Sequence, residues 1–366
     1  FALKYGSTSR RMQASYAYPN DGHAAPLAAS RKPAYKTGMY VVTGGAGFIG
    51  SNIAHGLEAA GLGPVAIIDL LRDAKKWRNI AKRELFDIVN PESTMAFLNT
   101  YASAVSAVIH MGAISSTTEP DADLIIENNF RFTSRLWQWC ASNRVKFIYA
   151  SSAATYGNGS AGFNDDGDGA ALADLYPMNA YGWSKHLFDR RVAAMIAEGD
   201  RLPPQWAGLK FFNVYGPNEY HKGSQQSVVA QIYPHAKARE AAVLFRSHHP
   251  DYEDGEQLRD FIWVGDCVDI VLWLLHNEEV CGLFNCGTGK ARSFADLANA
   301  VYRAMDLEPL IKYIDTPLAI RDKYQYFTEA KMQRLRHAGY DKPMTELEDG
   351  VATYVRNFLD ADDPYR

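Results

Sequence analysis

The chain lacks the features of a membrane protein, a disulfide scaffold or an electrostatic nucleic-acid binder. No apolar stretch approaches the roughly 20 residues that cross a bilayer, so we expect no membrane span. The 38 basic residues are outnumbered by 42 acidic ones, which gives a net charge of −4 and argues against binding driven by nucleic-acid phosphates. The only cysteines are Cys140, Cys267, Cys281 and Cys286. Their spacing fits neither disulfide pairing nor zinc, so we expect reduced thiols, no metal site, and Cys267 and Cys281 as small core residues.

Residues 1–38 differ in composition from the rest of the chain. They hold six basic residues and a single acid, Asp21, and they show no hydrophobic periodicity. An Arg- and Ser-rich, acid-poor segment is typical of a transit peptide, and the chain starts with Phe1. We therefore expect an N-terminal extension on a processed organellar protein, in the mitochondrial matrix above all, with a cytoplasmic location as the alternative. We expect the extension to be held by the body of the protein or by a partner.

A dinucleotide-binding pattern follows the extension. Residues 40–43 form a β-branched apolar run, and a helical pattern covers residues 48–60. The glycines between and within them are Gly44, Gly45, Gly47 and Gly50. Their spacing fits both G-x-G-x-x-G and G-x-x-G-x-x-G, and a second apolar run, residues 65–69, ends in an acid about twenty positions later. A strand, a glycine turn and a helix N-terminus in this order bind a pyrophosphate.

The residues after the second strand bear on the choice of cofactor. Asp69 by itself favours the unphosphorylated ribose of NAD. The nearby Arg72, Lys75 and Lys76 can accommodate a 2′-phosphate, which favours NADP. A solvated charged loop is the alternative interpretation of these cations. We predict NADP over NAD.

Strands and helices alternate from residue 39 to about residue 149, which predicts a Rossmann-type, doubly wound parallel sheet. Residues 107–110 form another buried strand, and small polar residues follow at 111–119, where ligands of such sheets lie. A helix over residues 122–142 is expected to bring Asn128 to the same crevice. Residues 145–151 form the next strand, and the Gly- and Asp-rich residues 157–178 predict an exposed excursion.

A catalytic constellation is predicted after that excursion. Tyr181 and Lys185 are four residues apart at the start of a helix that runs to about residue 197, so their side chains share one face. A neighbouring ammonium lowers the pKa of a tyrosine and makes it usable as an acid or base near neutral pH. Ser152, at the end of a strand, can hydrogen-bond the reacting oxygen.

These motifs resemble the extended short-chain dehydrogenase/reductase superfamily, through residues 43–50, 151–152 and 181–185. Within it the chain is most similar to the ADP-L-glycero-D-manno-heptose 6-epimerases, over residues 39–358. The motifs behind this narrower resemblance are residues 112–119, 150–157, 211–223, 260–266, 284–289 and 338–343. The resemblance implies an isomerase of carbohydrate metabolism that oxidises C6 of a nucleotide-activated heptose with tightly bound NADP and returns the hydride to the opposite face.

The resemblance also assigns roles to residues. It places Tyr181 on one face of the transient ketone and Lys222 on the other, with Lys185 supporting Tyr181 and the nicotinamide ribose; from the sequence alone, a surface lysine is the alternative for Lys222. The implied cofactor contacts are Gly44, Gly47, Phe48, Ile49, Gly50, Asp69, Lys76, Met111, Gly112, Ala113, Ser115, Asn128, Lys185 and Val214. The implied substrate contacts are Ser152, Asn213, His221, Ser224, Arg259 and Tyr324. Arg259 also suits a diphosphate, because guanidinium pairs with phosphate oxygens.

The later part of the chain is expected to form a smaller α/β substrate lobe interleaved with the first. We predict helices at residues 226–239, 265–276, 294–305 and 344–360. The domains are then the extension, 1–38; an NADP-binding domain, 39–212; and a mainly substrate-binding lobe, 213–366, from which some segments cross back to the first sheet.

Several departures from the family leave alternatives open. Gln231 stands where a histidine is expected, and Ile114 replaces a smaller or sulfur-bearing residue. Residues 157–178 and 246–258 are longer than usual. A 4-epimerase or a dehydratase of another nucleotide sugar is one alternative. The dehydratase is disfavoured, because the acidic pair expected beside the threonine is missing at Thr155. An NADP-holding structural subunit of a larger organellar assembly, contacted through residues 1–38, is an alternative of a different class. We otherwise expect a homo-oligomer.

Overall fold

The computed structural model describes residues 38–72, 75–321 and 325–366. The predicted N-terminal extension therefore lies outside the described residues except for Gly38, and so does Tyr324. No helix in the described part of the chain is long and apolar enough to cross a membrane.

A seven-stranded parallel sheet forms the centre of the structure. The strands found among the described residues are β1 (Met39–Thr43), β2 (Val65–Ile68), β3 (Asp87–Val89), β4 (Val105–His110), β5 (Lys146–Ser152), β6 (Trp206–Phe211), β7 (Asn213–Tyr215), β8 (Ala242–Phe245), β9 (Leu258–Trp263), β10 (Gly282–Cys286), β11 (Ala291–Ser293) and β12 (Ile311–Ile314). The order of strands in the large sheet is β10-β6-β5-β4-β1-β2-β3. The strands of the large sheet are apolar and mostly buried, as expected when helices cover both faces of a parallel sheet. The predicted Rossmann-type fold is confirmed.

Helices connect these strands. Those of the described residues are α1 (Phe48–Ala59), α2 (Thr94–Thr100), α3 (Ala122–Ile125), α4 (Phe132–Asn143), α5 (Gly169–Ala173), α6 (Ala180–Glu198), α7 (Val228–Lys237), α8 (Val264–His276), α9 (Phe294–Ala304), α10 (Leu318–Arg321), α11 (Gln333–His337) and α12 (Leu347–Tyr354). A wide π-helical stretch, Ile126–Arg131, joins α3 to α4, so the helix predicted over residues 122–142 is present. A second such stretch, Val355–Leu359, extends α12.

The strand order places a crevice at the centre of the sheet. Strand β1 lies between β2 and β4, so the connections after β1 and β4 leave the sheet in opposite directions. Ligands of open α/β sheets bind at this topological switch point, outside the carboxyl ends of the strands. The glycine turn after β1 lies at this edge.

The later part of the chain forms a second, smaller apolar core. Helices α7, α9 and α12 pack around β9 and the two-stranded sheet of β8 and β12, with Tyr302, Val301 and Tyr354 almost wholly buried. This part is interleaved with the first, because β10 pairs with β6 in the large sheet and α8 packs against α1. Gly56 makes that helix contact close, since a Cβ there would lie 2.3 Å from Val268 Cγ1.

Two expectations about exposure are wrong. Residues 157–178 are not an exposed excursion throughout, because Phe163, Leu172 and Leu175 are buried in the main core, and Asp165 accepts a hydrogen bond from the Asn285 amide at 2.8 Å. The segment is rich in glycine and aspartate, but a few large apolar residues anchor it in the core. Cys281 is exposed, whereas Cys267 is buried as expected; Cys281 lies just before β10, where the chain enters the sheet.

Candidate active site

A cavity of about 880 Å³ lies outside the carboxyl ends of β1, β4 and β5. All of the predicted cofactor contacts line it, and so do the predicted catalytic residues Tyr181, Lys185, Ser152 and Lys222. The structure therefore brings together the glycine turn, the start of α6 and the segment after β7. These elements are far apart in the sequence and meet at the switch point of the sheet.

The glycine turn leaves no space for side chains. Gly44 has a φ of +63°, and a Cβ there would lie 2.6 Å from the Gly112 nitrogen. A Cβ at Gly50 would lie 2.2 Å from the Gly44 oxygen. Helix α1 then begins after Gly47, which provides no side-chain cap, so the amides of the first turn remain as donors for an anion. This geometry fits the pyrophosphate of a dinucleotide.

Asp69 follows β2 and is already bonded by the protein. Its carboxylate accepts hydrogen bonds from the Ala46 amide at 2.9 Å and the Leu70 amide at 2.7 Å. It also forms an ion pair with Lys76. The acid thus ties the glycine turn to the loop after β2, and its negative charge is balanced by a cation at the cavity wall.

Tyr181 and Lys185 lie one turn apart on α6, which Asn179 caps through its side chain. Burial raises the pKa of Tyr181, and a hydrogen bond with Ser152 acts in the opposite direction. The expected net lowering of the Tyr181 pKa is therefore wrong for this structure, because desolvation of the phenolate outweighs the hydrogen bond with Ser152. Burial lowers the pKa of Lys185 to about 8, although the carboxylate of Asp189 raises it.

Sequence reasoning missed the residue that holds the start of α6. Asn128 lines the cavity as predicted, but its neighbour Asn129 is buried and makes more contacts. The Asn129 amide nitrogen donates to Ile114 O and to Ser184 Oγ, both at 3.0 Å, and its oxygen accepts from the Ile114 amide. Ser184 in turn donates to Tyr181 O. Nothing in the Asn-Asn pair distinguishes the two residues, because their roles depend on which faces α6.

Lys222 lies on the other side of the cavity, in the short 3₁₀ segment Tyr220–Gln225. Burial lowers its pKa, while the carboxylate of Glu219 raises it. Its side-chain nitrogen lies 5.4 Å from the centroid of the Phe48 ring. A half-buried ammonium at the cavity wall disfavours the alternative of an ordinary surface lysine.

Glu219 is a second residue that the sequence did not single out. It is fully buried and accepts hydrogen bonds from Ser227 Oγ at 2.6 Å and from Tyr354 OH at 3.0 Å. These bonds lower its pKa, but burial outweighs them, so the pKa is raised. Because Tyr354 comes from α12, more than 130 residues later, no local pattern could have shown this contact.

The segment before Lys222 is also held by a buried amide network. Asn79 donates from its side chain to Ala46 O at 2.9 Å and to Asn218 O at 3.0 Å, and it lies 3.2 Å from His221 Nδ1. The Arg366 amide donates to Asn218 Oδ1 at 3.0 Å. The glycine turn and the Lys222 segment are therefore linked through Asn79, which lies outside the motifs.

The predicted substrate contacts fall into three groups. Ser152, His221 and Ser224 line the cavity. Asn213 is exposed on β7, and Arg259 donates to the carbonyl oxygens of Leu258 and Gln325; neither is among the described residues of the cavity wall. Tyr324 lies outside the described residues. Within the part of the chain that the structure describes, no three His, Cys, Asp or Glu side chains are grouped as a metal site would need.

Comparisons with known proteins agree with this geometry. Residues 40–287 match the model of the NAD dependent epimerase/dehydratase family. The chain is 50% identical over 329 residues to an ADP-L-glycero-D-manno-heptose-6-epimerase of Nitratidesulfovibrio vulgaris, covering 89% of this chain and 100% of that protein. It is 47% identical over 335 residues to the enzyme of the same name from Fusobacterium nucleatum, with the same coverage of both chains.

Solved structures show the same likeness. The Helicobacter pylori ADP-L-glycero-D-manno-heptose-6-epimerase superposes with a TM-score of 0.71 at 26% identity, over 88% of this chain and 96% of that one. The fold is shared with a UDP-N-acetylglucosamine 4-epimerase of Methanobrevibacter ruminantium, with a TM-score of 0.72 at 22% identity over 88% of this chain and 100% of that one. The resemblance predicted from the motifs is confirmed: the chain belongs to the NAD dependent epimerase/dehydratase family.

Proposed function

We propose that this protein converts ADP-D-glycero-D-manno-heptose into ADP-L-glycero-D-manno-heptose by inverting C6, with NADP as its resident cofactor. The observation that carries the proposal is that Tyr181 and Lys222, two proton-transfer groups from different parts of the chain, line one cavity with the glycine turn. The relatives named for this reaction match the chain along their whole length.

Inversion of C6 needs a proton acceptor and a proton donor on opposite faces of a transient ketone. A nicotinamide dinucleotide held at the glycine turn would supply the redox chemistry, the removal of a hydride from C6 and its return to the opposite face. When the ketone forms, one of Tyr181 and Lys222 accepts the proton of the C6 hydroxyl; when the ketone is reduced, the other donates a proton to the new alkoxide oxygen. Ser152 forms a hydrogen bond with Tyr181 and holds the reacting oxygen near the phenol. The reaction requires an acid and a base on either side of a substrate held in place.

The preference for NADP is supported by the balance of charge around Asp69. A free carboxylate at this position would repel a 2′-phosphate, but Lys76 and two backbone amides already bind it. Arg72 is exposed in the same loop. We expect tighter binding of NADP than of NAD, measured by calorimetry on the protein freed of nucleotide, and a selective loss of NADP affinity in Lys76→Ala. Equal affinities in the wild type would contradict this preference.

The reaction is tested by incubating the purified chain with ADP-D-glycero-D-manno-heptose and following C6 by proton NMR. We expect conversion in the wild type and losses of about 10²- to 10⁴-fold in both Tyr181→Phe and Lys222→Met, the size of a general acid–base contribution. Tyr176→Phe and Lys312→Met change exposed residues of the same types and are expected to keep full activity. No conversion by a wild-type chain that still binds the cofactor would favour another nucleotide sugar or a structural role. The assignment of residues 213–366 mainly to substrate binding is likewise part of this proposal.

A further inference from the structure

A buried ion pair lies directly behind the catalytic residues of α6. Asp189, one turn after Lys185, accepts a hydrogen bond from Lys210 Nζ on β6 at 2.9 Å. Both side chains have no exposed surface at all. Neither residue lines the cavity among the described residues of its wall, so neither is placed to touch the substrate or the cofactor.

The pair connects the elements that carry the reacting groups. Asp189 also accepts from Tyr149 OH at 3.0 Å and from Ser151 Oγ at 2.7 Å, both on β5. Lys210 donates to Thr155 Oγ1 at 2.8 Å, and Thr155 donates to Ser152 O at 2.8 Å. Ser152 is thus fixed from two sides, through its neighbour Ser151 and through its own carbonyl oxygen.

Stability alone gives a weak reason for this arrangement. Bringing two charges out of water costs several kcal/mol per ion, and well-packed apolar residues often do as well or better. The carboxylate of Asp189 lies where its negative charge acts on Lys185, because the two residues share one face of α6. Lys185 is itself buried in the protein and needs a nearby negative charge to stay an ammonium.

We propose that Asp189 is a positioning residue that keeps Lys185 protonated and holds Ser152 in line with Tyr181, with Lys210 balancing its remaining charge. The part of this proposal that concerns catalysis rests on the proposed function; the part that concerns the charge of Lys185 does not.

The other ionisable groups around Lys185 do not replace Asp189. On α6 itself they are Tyr181, whose pKa burial raises, and His186, whose pKa burial lowers to about 4. From β4, His110 is within electrostatic range, and its pKa lies well below the usual value because of burial. These three groups are uncharged near neutral pH, and Lys210 from β6 is a cation. Asp189 is the neighbouring group whose charge raises the pKa of Lys185.

The charge of Lys185 can be measured without any activity. The full-length protein is labelled with ¹³C at the lysine Cε, the Lys185 signal is assigned by its loss in Lys185→Met, and its shift is followed against pH by NMR. In the wild type we expect a titration midpoint near pH 8. In Asp189→Asn we expect the midpoint to fall by about one pH unit or more, because the neutral amide no longer favours the ammonium.

Two further variants separate charge from folding. Asp189→Asn combined with Lys210→Met removes both ions of the pair, so neither is left behind as an unpaired buried charge. We expect this variant to fold and to show a lowered midpoint, by less than Asp189→Asn alone because a neighbouring cation is removed as well. Glu198→Gln removes an exposed carboxylate on the same helix, one that pairs with Arg191, and is expected to leave the midpoint unchanged. An unchanged midpoint in a folded double variant would overturn the proposal, and so would a wild-type midpoint below about pH 6, whatever the variants do.

The pH dependence of epimerisation gives the second measurement. If epimerisation needs a protonated Lys185, kcat falls at high pH as Lys185 loses its proton. In the double variant this fall begins at a lower pH than in the wild type, by the same interval that separates their two NMR midpoints. A uniform loss of kcat at every pH would instead indicate a structural role alone and would contradict the proposal. Absence of epimerisation in the wild type counts against the proposed function, and in that case the NMR midpoints alone decide the role of Asp189.

Discussion

The side-chain nitrogen of Lys222 lies 5.4 Å from the centre of the Phe48 ring, so the candidate base of one half of the molecule faces the residue that opens α1 in the other. Phe48 follows the glycine turn and lines the same cavity. A cation over an aromatic face is stabilised by the ring quadrupole. The contact fixes the lysine against the element that is expected to hold the cofactor.

Phe48→Leu is expected to lower kcat for epimerisation by about 2- to 30-fold, since a cation–π contact contributes about 0.5–2 kcal/mol. The leucine keeps an apolar residue at the start of α1 but has no ring to orient the ammonium. Steady-state kinetics with NMR detection provide the measurement. Phe284→Leu, which removes the ring beneath Arg334, is the matched control and is expected to keep normal kcat. Unchanged kinetics in Phe48→Leu would show that the ring does not orient Lys222.

Glu219→Gln is expected to shift the pH dependence of kcat/KM to lower pH. The carboxylate of Glu219 raises the pKa of Lys222, so its removal makes the lysine neutral at a lower pH. The limb of the profile that reports Lys222 therefore moves towards acid, and Lys222→Met shows which limb that is. Glu240→Gln, an exposed carboxylate beside His235, is the control. A profile that keeps its shape and position in Glu219→Gln would contradict the electrostatic link.

Gly50→Ala is expected to abolish cofactor binding with little loss of secondary structure. Its Cβ would lie 2.2 Å from the Gly44 oxygen, a backbone atom that can move only if the whole turn opens. Binding is measured by calorimetry with NADP. Gly169→Ala, where a Cβ meets nothing within 4 Å, is expected to bind normally. Wild-type affinity in Gly50→Ala would mean that the turn is not the pyrophosphate site.

His110 is expected to make the protein less stable in acid. It lies between Thr43 Oγ1, 2.6 Å from Nδ1, and Thr133 Oγ1, 2.8 Å from Nε2. Thr133 donates to Asn129 O and Thr43 accepts from the Gly112 amide, so Nε2 carries the proton and the ring is neutral. Burial holds the pKa of His110 well below its ordinary value of 6.5.

The unfolded chain therefore binds a proton below about pH 6.5 that the folded protein does not, and the free energy of unfolding falls as the pH drops through this range. The slope is at most about 1.4 kcal/mol per pH unit. Chemical denaturation at several pH values is expected to show a shallower slope in His110→Gln and a wild-type slope in His337→Gln, which changes an exposed histidine. Equal slopes in the wild type and His110→Gln would contradict a neutral His110.

Local spacing accounts for what could be predicted from the sequence. Three features depend on residues close together in the chain: the glycine turn, the acid after β2 and the pair Tyr181–Lys185. The order of strands in a doubly wound sheet then predicts that these features meet at one edge of the sheet. Predicted strands and helices end within a few residues of the observed ones.

The remaining contacts join distant residues, and no local pattern shows them. Lys210 on β6 donates a hydrogen bond to Asp189 on α6. Likewise, Tyr354 donates to Glu219, and Asn129 donates to Ser184. The predicted exposure of residues 157–178 is wrong for a similar reason. Phe163 packs against Phe212 and Phe327, and these contacts between distant residues hold the Gly-rich segment on the core. The raised pKa of Tyr181 reflects burial, which spacing on a helix does not report.

The pairing of β10 with β6 has a consequence for how this fold can be recombined. Residues 282–286 complete the edge of the large sheet along residues 207–211, and the Phe212 amide donates to Cys286 O. A fragment that stops near residue 212 leaves β6 as a long apolar edge, which invites pairing with other chains. The segment that ends near residue 212 therefore cannot be transferred between chains as an independent folding unit. Chimaeras between relatives are expected to stay soluble when residues 206–286 come from one parent, and to aggregate when a crossover separates β6 from β10.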